Sequence, residues 1–342
     1  MSFAALLIRA ALIRTLAVIY SIYAIYLLFK KWLQIKGNLF QSQPHLRPHV
    51  LDGWTHSFVD CGSIRLHYVE TGSPNAPLML CIHGFPEFWY SWRYQLKHFS
   101  DKYRVVALDL RGYGDSDKPE GVENYNLNEI VHDVELFIEA LGYKKAVVLA
   151  HDWGGATAQR LALKRPELFD RLVVMNVPHP KVFTELFKKS EQRKKSWYFF
   201  MFLCPGLPEF FMRANDFENL EAIFRSKETG FCNSEAFTDE DLEAWKYTYG
   251  KPGALSPPMN YNRATMLQFR PAEFPKPILQ PKTLYIWGQR DGFLMNEGGD
   301  LSIALCKNAR LVKIPNASHW VQQDAHEDVN KHIEEFLAER SS

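Results

Sequence analysis

The run Ala150-His151-Asp152-Trp153-Gly154 places a carboxylate between small residues, after the apolar stretch "VVLA" and before a helix-forming stretch. Strand, tight turn and helix in that order hold the central residue in a strained backbone conformation, where bulky neighbours would clash. The helix N-terminus that follows favours a negative charge at that point. Asp291 follows the apolar run "KTLYIWG", and His319 follows "ARLVKIP". Both therefore sit just past the carboxyl end of a strand, where open α/β sheets gather their reactive groups. In the order nucleophile, acid, histidine, the acid fixes the imidazole tautomer and stabilises its protonated form. An aspartate is already ionised at neutral pH and needs no base for a first attack. Attack on a saturated carbon carrying a leaving group gives an alkyl ester, which water activated by His319 can cleave. Taken singly, Asp152 has a helix cap as its minority reading, and a lone His319, one of 12 histidines, is more often structural. Their joint order and context favour chemistry.

The cleavage step builds negative charge on the Asp152 carboxyl, so it needs hydrogen-bond donors there. "CIHGFPEFW" follows a strand at 78–82, and the backbone N–H groups of Phe85 and Trp153 are the expected pair. The glycine loop "DLRGYGDSD" (109–117) lacks G-x-G-x-x-G spacing and has no dinucleotide role. Serine with histidine suits attack on a carbonyl; a carboxylate suits a strained epoxide or a carbon–halogen bond.

The elements that must position these groups read in sequence as "HSFVDC", "IRLHYVE", "PLMLCIHG" and "YRVVALDL", then "KAVVLA", "RLVVMN", "KTLYIWG" and "ARLVKIP". The later runs are short and continuously apolar, as in buried parallel strands, and alternate with helical stretches such as 126–141. That rhythm predicts a doubly wound α/β sheet. It stops over residues 181–270, which are aromatic-rich and helix-prone and are expected to form a lid. The core is expected over 51–180 and 271–342, with a proline-containing linker at 37–50 and a hydrophobic anchor at 1–36.

The 342-residue chain is 46% hydrophobic and 23% charged, with a net charge of +1, so nothing marks it for nucleic acid. Five scattered cysteines form no CxxC pair, and neither a disulfide framework nor a structural metal is expected. From Ala4 to Phe29 the chain is almost wholly apolar, with Arg9 and Arg14 needing to reach headgroups for a full span. Tyr20, Tyr23 and Tyr26 recur every third residue, and Lys30-Lys31-Trp32 close the run. A cleaved signal peptide is the rival reading, but bulky residues fill the cleavage zone, which favours an uncleaved anchor. Arginines and lysines balance across it, leaving its orientation open. The sequon at Asn316-Ala317-Ser318 adjoins His319 and says little about sidedness.

Together HGFPEFW, DLRGYGDSD, HDWGG, RDGF and SHW resemble the epoxide hydrolase branch of the α/β hydrolases, over roughly residues 45–340. With the hydrophobic N-terminus, the pattern resembles the membrane-anchored epoxide hydrolase 3 and 4 group. The resemblance implies an α/β-hydrolase fold, a mostly parallel sheet with a helical lid inserted late in it, and an N-terminal membrane-anchor helix. It implies opening of hydrophobic, lipid-derived epoxides to vicinal diols, with water and the epoxide as the only partners besides the membrane and with no cofactor. A single-pass anchor in the endoplasmic reticulum is the expected location. Two lid tyrosines would protonate the epoxide oxygen. The first falls on Tyr198, seven residues before Pro205. At the second, the N-x-Y-R motif is replaced by Asn260-Tyr261-Asn262-Arg263, so Asn262 holds the tyrosine position with Tyr261 one residue earlier. An amide donates a hydrogen bond but releases no proton. Asp152, Asp291, His319 and Tyr198 are the catalytic set so implied, with His83, Tyr261, Asn262 and Trp320 facing the substrate. Two other readings use the same residues: a haloalkane or haloacid dehalogenase, with Trp153 and Asn262 holding the halide, and a lid-altered homologue that binds hydrophobic ligands.

Overall fold

The computed structural model describes residues 3–36, 38–40, 43–267 and 277–339, with side chains from Ala10 onward. The expected lid end at 270 and core restart at 271 lie outside the described residues, as does the Arg9 side chain. Eight strands form one sheet: β1 (Thr55–Cys61), β2 (Ile64–Thr71), β3 (Leu78–Ile82), β4 (Arg104–Leu108), β5 (Ala146–His151), β6 (Phe169–Met175), β7 (Thr283–Gly288) and β8 (Ala309–Ile314). Their spatial order is β1-β2-β4-β3-β5-β6-β7-β8. The pairs β1–β2 and β2–β4 are antiparallel, and every other pair is parallel.

The continuous apolar runs become the central strands because both of their faces are covered. All residues of β3, β5 and β7 are buried, whereas the edge strand β1 alternates. Pleating divides each strand between two cores. Met79, Cys81, Val147 and Leu149 face one, and Leu80, Ile82, Val148 and Ala150 face the other. The second core is closed by α3 (Leu127–Ala140) and α4 (Asp152–Lys164). Helix α3 buries Ile130, Val134, Phe137 and Ile138 at helical spacing, and the Asn126 side chain caps its first turn. The first core is closed by α2 (Arg93–His98) and, late in the chain, by a helix at 326–338.

Between β6 and β7 the described residues form six α-helices, one short 3-10 helix (Ser234–Ala236) and no strand: α5 (Pro180–Leu186), α6 (Ser190–Lys195), α7 (Tyr198–Met201), α8 (Leu207–Arg225), α9 (Asp239–Gly250) and α10 (Ser256–Leu267). Helix α8 bends sharply, with Asn215, Asp216 and Phe217 all at positive φ. After β7 come α11 (Glu297–Ile303), α12 (Val321–Asp324) and α13 (His326–Ala338). At the other end of the chain, α1 (Phe3–Gln34) includes a stretch, Ala10–Gln34, long and apolar enough to cross a membrane. It packs against the lid: the Tyr20 ring stacks 5.7 Å from Phe200, and Tyr23 meets the edge of Trp197 at 5.5 Å.

Candidate active site

Asp152 directly follows β5 and begins α4 with φ 48, the left-handed conformation a nucleophile elbow requires. Glycines make that bend possible. A Cβ on Gly154 would collide with the carbonyl oxygens of Ile82 and His83, and one on Gly84 with the Asp152 side chain itself. Gly154→Ala must therefore push α4 away from β3, at a cost of about 1–3 kcal/mol. A fall in Tm together with reduced turnover is the expected result; an unchanged Tm would show that the elbow has slack.

Asp291 and His319 converge on that turn. The His319 Nδ1 lies 2.8 Å from Asp291 Oδ2, and its Nε2 lies 3.6 Å from Asp152 Oδ2. The other Asp152 oxygen, Oδ1, accepts a hydrogen bond from the Phe85 N–H at 3.0 Å. Trp153 is the next residue, in the first turn of α4. Asp291 is more firmly held than its sequence context shows. Its Oδ1 accepts the N–H groups of Phe293 (2.7 Å) and Leu294 (2.9 Å), and its Oδ2 accepts the Asn176 amide at 2.7 Å. Asn176, at the end of β6 with φ 42, is itself fixed by Gly288, whose N–H its side chain accepts.

Charge decides the protonation states. Burial alone would lower the His319 pKa, but the carboxylates of Asp291 and Asp152 outweigh it and raise the imidazole to about 10. Burial would raise both aspartates, and the adjoining His319 with its hydrogen bonds holds them below the usual carboxylate range. Burial, then the nearby Asp152 and Asp291 charges, push the Tyr198 hydroxyl far up, so it stays a proton donor. Tyr198, Asp152, Trp153, Phe199 and Phe293 line one cavity of about 730 Å³ that continues past Phe183 and Leu267.

A second network ties the loops beneath the site. The fully buried Glu87 accepts the Gly84 N–H at 2.9 Å, meets His151 Nδ1 at 2.6 Å and accepts the side-chain amides of Gln322 (2.8 Å) and Gln323 (3.0 Å). His151 Nε2 in turn bonds the backbone carbonyl of His319 at 2.8 Å. Glu87, His151 and Asn176 were visible in sequence only as parts of HGFPE, HDWGG and a strand end. Burial of a charge gives them meaning, and that is a property of the fold.

Four expectations for substrate contact are corrected or altered. His83 is fully buried, with Nδ1 on the Gly84 carbonyl (2.9 Å) and Nε2 accepting the Leu110 N–H (3.2 Å), so it braces the loop and does not reach substrate. Trp320 is packed against His319, His151 and Phe224, and its indole N–H donates to the Thr229 carbonyl at 3.0 Å. The Tyr261 hydroxyl donates to the Arg111 carbonyl at 2.7 Å, which removes it as an acid. Asn262 sits on α10, 2% exposed, and neither its amide nitrogen nor its oxygen has a hydrogen-bond partner among the described residues. Tyr198 is thus the one tyrosine lining the cavity among the described residues. No group of three or more His, Cys, Asp or Glu residues is arranged to hold a metal ion among the described residues.

A lid over the carboxyl ends of a mostly parallel sheet, with an elbow after β5, defines an α/β hydrolase. The sequence family described as the alpha/beta hydrolase fold matches residues 77–325. The chain is 44% identical over 326 residues to epoxide hydrolase 2 of Caenorhabditis elegans, covering 94% of this chain and 91% of that one. It is 44% identical to human epoxide hydrolase 4 over 293 residues, 84% of this chain and 80% of that one. Among solved structures, the Bacillus megaterium epoxide hydrolase in complex with an inhibitor superimposes with a TM-score of 0.75 at 29% identity, covering 83% of this chain and 100% of that one. The chain belongs to the epoxide hydrolases of the α/β-hydrolase fold.

Proposed function

We propose that this enzyme opens hydrophobic, lipid-derived epoxides to vicinal diols through an ester on Asp152. One observation carries the reading. The Asp152 carboxylate has one oxygen held by the Phe85 N–H and the other facing both His319 and a largely apolar cavity that contains Tyr198. Oδ2 attacks an epoxide carbon, the carbon–oxygen bond breaks, and the electron pair leaving on oxygen takes the Tyr198 proton. Esterification removes the Asp152 charge, one of the two that raise His319, so the imidazolium becomes acidic enough to return a proton to the tyrosine. Neutral His319 then deprotonates water for attack on the ester carbonyl carbon. Oδ1 becomes the oxyanion, held by the N–H groups of Phe85 and Trp153. Collapse expels the alkoxide, His319 protonates it, and the new carboxyl group re-protonates His319. The sum is one epoxide and one water to one diol, with no cofactor.

The test is diol formation by purified protein from a panel of fatty-acid and aryl epoxides. Tyr198→Phe is expected to slow ester formation about 10²-fold while sparing ester hydrolysis, because the phenol acts only in the first step. Equal loss in both steps would move Tyr198 out of that role. A dehalogenase reading is favoured by the Trp153 ring in the cavity and the Asn262 amide, which has no partner among the described residues. Halide release from a haloalkane panel, with no diol from epoxides, would reverse the assignment. We further assign α1 to a membrane, so that hydrophobic substrate is met where it dissolves.

A further inference from the structure

We propose that α1 lies flat in one leaflet of a bilayer instead of crossing it, with one side clamped to the lid and the other in lipid. The lid-facing side is continuous. Ile13, Leu16, Tyr20, Ala24, Leu28 and Lys31 recur at three- and four-residue spacing, each buried or half-buried. Ile13, Leu16 and Tyr20 pack on the Phe199, Phe200 and Met266 cluster, Ala24 is fully buried, and Lys31 pairs with Glu218 of α8. From Ile13 to Lys31 a helix rises about 27 Å. The hydrocarbon core of a bilayer is about 30 Å thick. A crossing α1 would therefore carry its clamp into the hydrocarbon: the short α7, the turn after it, the α8 bend at 214–217, and the polar Asn215 and Glu218. Irregular backbone facing lipid leaves peptide groups without partners, which bilayers do not tolerate.

The opposite side fits a leaflet. Leu12, Ile19, Ile22, Tyr26, Phe29 and Leu33 are each between 52% and 61% exposed. Arg14 near one end of the clamped stretch Ile13–Lys31, and Lys30 and Lys36 near the other, are exposed and long enough to reach phosphates from a helix lying at headgroup depth. Charges at both ends of that stretch with apolar residues between them suit a lipid surface better than a protein partner or a second copy of this chain. The placement also gives an entry route, which rests on the epoxide reading. Met266 belongs to the cluster that holds Ile13 and Leu16 of α1, and the adjoining Leu267 is 63% exposed and lines the cavity, so the cavity rim borders the embedded helix.

The test uses the full chain with an epitope tag at each end, in sealed microsomes treated with protease from outside. Both tags are expected to share one fate, cleaved together or protected together; opposite fates would overturn the flat placement. This readout does not depend on activity, so it fails separately from the proposed reaction. Purified chain mixed with phosphatidylcholine vesicles should float with them, and Ile22→Glu combined with Tyr26→Glu should cut flotation at least tenfold while hydrolysis of a water-soluble aryl epoxide is unchanged. Flotation unaffected by the double variant, or a stable dimer that ignores vesicles, would overturn the lipid contact.

Discussion

Asp152→Ala abolishes diol formation, with turnover expected to fall by on the order of 10⁴-fold or more, as when the nucleophile of a covalent mechanism is removed. Alanine removes both carboxylate oxygens, Oδ1 on the Phe85 N–H and Oδ2 toward His319, and with them the attacking atom. The fold should survive, because Asp152 stands at positive φ, costs strain, and contributes no buried apolar surface. A steady-state assay with matched Tm measurements checks both halves. Single-turnover reaction in heavy-oxygen water supplies an independent check, since ester hydrolysis must leave the label in the Asp152 carboxyl group. Full turnover by the alanine variant, or an unlabelled carboxyl after several cycles, would remove Asp152 from the mechanism.

His319→Gln separates the two half-reactions. Attack by an ionised carboxylate needs no base, so the variant should still form the ester and then stop, with turnover down by about 10³–10⁴-fold. Intact-protein mass spectrometry should show one substrate mass added, located on Asp152. Glutamine keeps a donor for Asp291, whose other partners, Asn176 and the Phe293 and Leu294 N–H groups, remain in place. The pH dependence of the wild-type enzyme gives the sign. Ester hydrolysis requires neutral His319, so it should speed up as pH rises through the imidazole pKa of the ester form. That value lies below the resting value of about 10, because the Asp152 charge is gone. Hydrolysis that slows over this range would contradict the role of a base.

The eight strands were legible because the sequence carries them locally. Apolar runs mark the strands, and turn residues mark the proposed catalytic positions that follow β5, β7 and β8. What stayed hidden depends on partners distant in the chain. Asn176 lies 115 residues from the Asp291 it steadies, and Glu87 lies 64 from His151. His83 and Trp320 show the same limit from the other side. Both flank chemistry in sequence, yet the first donates to its own loop and the second packs beneath the histidine. A motif places a residue near a site but does not say which way its side chain turns. Tyr261 and Asn262 differ by a single step along α10, and that step sends the hydroxyl to the Arg111 carbonyl and buries the amide without a described partner.

The lid is attached unevenly. Helix α9 is riveted to the loop that carries Phe85: the Trp245 indole donates to the Pro86 carbonyl at 2.7 Å and the Tyr249 hydroxyl to that of Glu87 at 2.9 Å. Helices α5 and α7 and the end of α10 supply the cavity wall, and among the described residues none of them hydrogen-bonds that loop. Drift in sequence along α5 and the end of α10 is thus free to reshape the compounds admitted, while α9 stays locked to the loop that carries Phe85 and α7 keeps Tyr198 beside Asp152. Selectivity and rate can diverge independently within one scaffold, and directed evolution toward bulkier or longer epoxides has a natural starting surface at Phe183, Phe199 and Leu267.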